Sequence, residues 1–79
     1  MPKFYFCLLE CDVVIDDPDG QLFADIDAAV FDAIRQIRSM VALEIAEMGE
    51  ADLTRAIEIV GQGGDARRVA FSEAVSVSI

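Results

Sequence analysis

A chain of 79 residues, 54% of them apolar, is long enough for one domain and one small core. Its net charge of −9, with only six basic residues scattered along it, excludes nucleic acid and anionic membrane as partners, because both are held chiefly by clustered Lys and Arg. The absence of any histidine removes the usual general base, so no nucleophile and base can be paired.

The first apolar run, Phe4-Tyr5-Phe6-Cys7-Leu8-Leu9, is aromatic-rich and apolar at successive positions, the mark of a buried, central strand. Alternation puts Phe4, Phe6 and Leu8 on one face and Tyr5, Cys7 and Leu9 on the other. A single helix covers only one of these faces, so the second calls for another cover such as a second subunit. The run is too short for a secretion signal or a membrane span, and with only two cysteines the expected compartment is a reducing cytoplasm. On an extended strand Cys7 and Cys11 stand roughly 13 Å apart, too far for a disulfide unless the chain folds back between them.

Glu10-Cys11-Asp12 reads as a turn and Val13-Val14-Ile15 as the hairpin partner of the first strand. Asp16-Asp17-Pro18-Asp19-Gly20 is the strongest turn signal in the chain. Its acids invite a calcium reading. With Gly20 as the sixth loop position, Asp17 and Asp19 fit the third and fifth, but Ile15 and Ile26 occupy the first and twelfth, where ligands are needed. No metal site is assigned, and the turn is read as solvated. Gln21-Leu22-Phe23 is a brief strand or an apolar plug at the entrance of a helix.

Ile26, Ala29, Val30, Ala33, Ile34, Ile37, Met40, Val41, Ile45 and Met48 recur at three and four residues, predicting a helix over about 25–48. Asp25 is its N-cap, and Gly49 ends it through the left-handed conformation. Such a helix is roughly 35 Å long at 1.5 Å per residue and overhangs any sheet built from short strands. Glu44 falls inside the apolar stripe, either where the helix passes the sheet edge or where it meets Arg55. Glu44, Glu47 and Glu50 also crowd the negative end of the helix dipole, which marks either a mobile end or a docking point for a basic partner. Phe31 and Leu43 fall off the stripe and are candidates for a partner-covered surface.

Thr54 to Val60 partly alternates and reads as a strand with one wet side; Gly61 to Asp65 is a turn; Arg67 to Phe71 is the returning strand, which Ser72-Glu73 interrupts. Gly61-x-Gly63-x-x-Ala66 formally matches a dinucleotide fingerprint, but its mechanism needs a helix starting there, and a β-branched strand follows. Arg67 and Arg68 point to opposite strand faces and make a poor anion clamp. Val75, Val77 and Ile79 alternate with serines, as a last edge strand or a strand that pairs with another molecule does.

Several of these segments together resemble a family of short bacterial proteins known only as a domain of unknown function. They are the start Met1-Pro2-Lys3-Phe4-Tyr5-Phe6, the turn Asp16 to Gly20, the helix opening Asp25-Ile26-Asp27-Ala28-Ala29, and Val69-Ala70-Phe71-Ser72-Glu73-Ala74. The chain departs from that pattern at Gly61 to Gly64, where a more acidic turn is expected, and at Ala70, where proline is common. The resemblance supports the fold and brings no activity, cofactor or catalytic residue.

The sequence thus predicts one domain over 1–79 of the α+β class, ββαββ: an antiparallel sheet with one long helix on one face and an extra C-terminal strand. The expected function is a non-enzymatic protein-interaction module that self-associates as a homodimer and needs no cofactor. Its candidate interface residues are Tyr5, Cys7, Leu9, Phe31, Leu43, Glu44, Val75, Val77 and Ile79. Two alternatives stand beside it: an acidic, antitoxin-like regulatory partner of a basic protein, and a small-ligand or metal-binding domain.

Overall fold

The computed structural model describes residues 1–75. Five strands form one antiparallel sheet: β1 (Lys3–Glu10), β2 (Val13–Ile15), β3 (Gln21–Leu22), β4 (Ala56–Gly61) and β5 (Ala66–Ala70). One long helix, α1 (Ile26–Met48), lies between β3 and β4, and a short one, α2 (Phe71–Ala74), follows β5.

β1 is central, as its aromatic, β-forming sequence predicts. Along one edge it pairs with β4, from Phe4↔Gly61 to Leu9↔Ala56. Along the other it pairs first with β3, at Lys3↔Leu22 and Phe4↔Gln21, and then with β2, at Leu8↔Ile15 to Glu10↔Val13. β5 closes the far side, giving the order β2-β1-β4-β5. β3 and β4 are both antiparallel to β1 on opposite edges, so they run parallel to each other and α1 is the crossover between them.

Alternation sorts the strands into two faces. Phe4, Ile57, Ile59 and Val69 are buried beneath Ala29, Ala33, Ile37 and Val41 of α1, with Phe6 and Leu8 packed at the margin. Small alanines in the contact stripe let the helix approach the sheet closely. Phe23 fills the helix entrance, stacked on Phe6 with ring centroids 5.8 Å apart, while Gln21 and Leu22 form β3; the strand and plug readings of this segment both hold, on adjacent residues. Both caps of α1 form as the sequence indicates. Asp25 accepts from the Ala28 N–H at 2.9 Å, and Gly49 adopts φ 80°.

Two expectations are corrected. β1 is central but not buried throughout: only Phe4 is fully buried, and residues 3 and 5–10 are half-buried, because one face has no cover among the described residues and Phe6 and Leu8 lie at the margin of the other. The returning strand ends at Ala70, and Phe71 to Ala74 turn into a helix in which the Glu73 carboxylate accepts from the Ala70 N–H at 3.1 Å. Ser72-Glu73 is thus part of a helical turn that buries Phe71 and Ala74.

Val75 lies at the C-cap of α2 and packs against the core, so it is not a strand residue. The expected strand beyond it, with Val77 and Ile79, lies outside the described residues. Among the described residues no helix is long and apolar enough to cross a membrane.

Candidate functional site

The feature that most needs explaining is the side of the sheet away from α1. The molecule is only 16 Å along its shortest axis, the thickness of one helix layer on one sheet layer. On the uncovered face the register brings together Tyr5, Cys7 and Leu9 of β1, Val14 of β2, and Ala56 and Val60 of β4. Val14 is 60% exposed, and Leu22 of β3, opposite Lys3, is 58% exposed. One charged pair crosses this face. Glu58, opposite Cys7, meets Arg68 of β5 at 3.8 Å, with both side chains largely in solvent.

Both sheet edges are modified against strand addition. On the β2/β3 side the Asp16–Gly20 turn interrupts the edge, and there the Asp17 carboxylate accepts from the Phe6 N–H at 3.2 Å, where a ladder partner would otherwise sit. Its second oxygen accepts from Asp19 N–H at 3.2 Å and Gly20 N–H at 3.1 Å. Donation from Gly20, and then from Phe6 and Asp19, holds the Asp17 carboxyl below the ordinary aspartate range against the opposing effect of partial burial. Gly20 is required in this turn. Its φ is 70°, and a Cβ would lie 2.8 Å from Cγ of Lys3 and 2.9 Å from Cε2 of Tyr5. Asp17 is therefore a backbone acceptor rather than a solvated acid. On the β5 side, Glu73 occupies the Ala70 N–H, and Arg67 and Arg68 put charge on the strand.

A second concave region, about 410 Å³, lies under the C-terminal end of α1 between Glu10, Glu44, Met48, Glu50, Asp52 and Arg55. Val41 is the last buried residue of the helix, and apart from the half-buried Glu44 the residues beyond it are exposed. Of the two readings of Glu44, contact with Arg55 is the one observed. Arg55, only 6% exposed, donates from Nη1 to Glu44 Oε2 at 2.8 Å and from Nη2 to Oε1, and from Nε to the Asp52 carbonyl at 2.9 Å. Its guanidinium carbon stands 4.5 Å above the Phe71 ring. The Arg55 hydrogen bonds pull the Glu44 carboxyl below its ordinary range, and the Glu44 contact in turn raises Arg55. Glu44 thus ties the C-terminal part of α1 to Arg55.

The remaining candidates are dispersed. Phe31 is 67% and Leu43 59% exposed, but both lie on the helix, remote from the uncovered sheet face and from each other. Cys7 and Cys11 are both free thiols. Among the described residues, no three His, Cys, Asp or Glu side chains gather closely enough to hold a metal ion. Alternation in the sequence places Tyr5, Cys7 and Leu9 on this face; Val14, Ala56 and Val60, which no sequence pattern singles out, share it. For Ala56 and Val60 this follows from long-range pairing register, which no local pattern reports, and for Val14 from the register of the β1–β2 hairpin.

These features define a class: a two-layer α+β domain with one open, largely apolar sheet face and interrupted edges. The chain belongs to the family DUF6894, described as a domain of unknown function, whose model matches residues 3–72. No curated protein matches the chain, and no solved structure does.

Proposed function

We propose that this protein is a non-enzymatic interaction module that self-associates through the sheet face opposite α1. The observation that supports this reading is the apolar set Tyr5, Cys7, Leu9, Val14, Ala56 and Val60 on a face that no element among the described residues covers. Large exposed apolar patches mark interaction sites in soluble domains. Interrupted edges argue for face packing over strand addition.

The size of the face fits a weak dimer. Four strand lanes about 4.8 Å apart and a β1 of about 26 Å offer roughly 500 Å² per copy, hence roughly 1,000 Å² for the pair. That is the lower bound of specific interfaces, the range of weak or transient association. A second copy is favoured over a basic partner because the acid central to the helix-end cleft, Glu44, is already neutralised by Arg55.

Light scattering across a dilution series tests the reading. A dimer at about 100 µM that dissociates on dilution is expected, and Val14→Lys should leave a folded monomer. A wild-type monomer throughout that range overturns the proposal.

A further inference from the structure

The apolar part of the open face has a centre. Tyr5 and Leu9 flank Cys7 along β1, while Val60 stands opposite Tyr5 and Ala56 and Val14 stand on either side of Leu9. Cys7 is therefore at the middle of the patch. An isologous pair buries a patch best when its two-fold axis crosses the patch centre.

Two in-plane directions for such an axis are distinct. An axis across the strands sets Glu58 over the mate's Glu58 and Arg68 over the mate's Arg68, and like charges meeting across an interface are unfavourable. An axis along β1 instead reverses the strand order of the mate. Arg68 lies two strands from β1, about 10 Å to one side. On the other side of β1, at the level of Phe6, lies the Asp16–Gly20 turn, tied there by Asp17. Rotation about β1 carries the mate's turn to the flank where Glu58 and, one strand beyond it, Arg68 stand; the 65% exposed Arg68 can then lie between Glu58 and the mate's acids. Asp16 and Asp19 in that turn are exposed, and among the described residues Arg68 has one ion pair, a long surface contact to Glu58.

Resting on the face-packing reading above, we propose that the second copy is related by a two-fold axis running along β1 over Cys7, with Arg68 of each copy paired to the Asp16/Asp19 turn of the other. Apolar contact at the centre supplies the adhesion, and the two charged rims fix the orientation. Strands of the two sheets then run nearly aligned, the usual arrangement for packed sheets.

Charge exchange tests the proposal, with dimerisation read by light scattering at low salt and folding of every variant checked by circular dichroism. Arg68→Glu should weaken the dimer roughly tenfold, an effect that fades at high salt. Asp16→Arg with Asp19→Arg should also weaken it, although these changes lower the overall negative charge and would strengthen a dimer limited by general repulsion. The three changes together should restore wild-type affinity. A wild-type dimer that Val14→Lys abolishes but Arg68→Glu leaves intact overturns this orientation while the face-packing reading stands. So does a dimer that the exchange fails to restore. A wild-type monomer overturns both.

Discussion

The two faces of β1 carry similar chemistry and meet different fates. Phe4, Phe6 and Leu8 point to α1 and join the core, whereas Tyr5, Cys7 and Leu9, one residue out of phase, point to a face with no second layer among the described residues. Apolar character alone does not state what a residue packs against. The same period-two pattern that specifies a core on one side specifies an unfilled surface on the other, and only the number of covering elements distinguishes them.

Neighbours on β4 give the sharpest test of this contrast. Ile59 is fully buried under the helix, and Val60 faces the open side, half-buried. Ile59→Ala should cost about 2–5 kcal/mol by denaturant unfolding. Val60→Ala, measured where the protein is dilute, should cost less than about 1 kcal/mol. Comparable losses at both sites would mean that the second face is covered even in the single chain.

Asp17 tests whether the open face depends on the turn that edges it. Asp17→Ala removes an acceptor for three backbone N–H groups and should cost about 1–2 kcal/mol. Because the folded carboxyl lies below its unfolded value, its contribution is complete above the ordinary aspartate range and is lost as pH falls through the folded value. The stability gap between wild type and Asp17→Asn should therefore be widest near neutral pH and close in acid. A gap that stays constant from pH 7 to pH 3 would remove the charge from the explanation.

The smallest effect is a gain. Cys11, in the two-residue loop between β1 and β2, has φ 46°, a left-handed value that favours glycine. Cys11→Gly should raise stability by about 0.5–1 kcal/mol. It should leave dimerisation unchanged, since Cys11 lies in the loop beyond the paired residues.

Local signals made much of this fold legible. The 3.6-residue stripe, Asp25 and Gly49 delimit α1 because caps and periodicity act within a few residues. The two faces of β1 follow from alternation, and the Glu44–Arg55 contact was one of two readings of an acid in an apolar stripe. Elsewhere the determinant was distant or too short. α2 spans four residues, fewer than periodicity can register, and its hallmark is a single bond from Glu73 to the Ala70 backbone. Strand order, and with it the place of Ala56 and Val60 beside Leu9 and Tyr5, depends on pairing between segments some fifty residues apart. Asp17 looked like a solvated acid because nothing near it in sequence announces the orphan N–H of Phe6.

The central position of β1 also bears on how the chain comes together during synthesis. Its partner along the full edge, β4, is translated only after the whole of α1. Until then β1 can hold only the short β2 and β3, and its aromatic face has no finished layer to enter. Long-range pairing of this kind slows folding and prolongs the exposure of sticky intermediates. The nascent β1 thus stays unpaired along one edge until both α1 and β4 have been made, with its apolar side chains open to misassociation in the meantime.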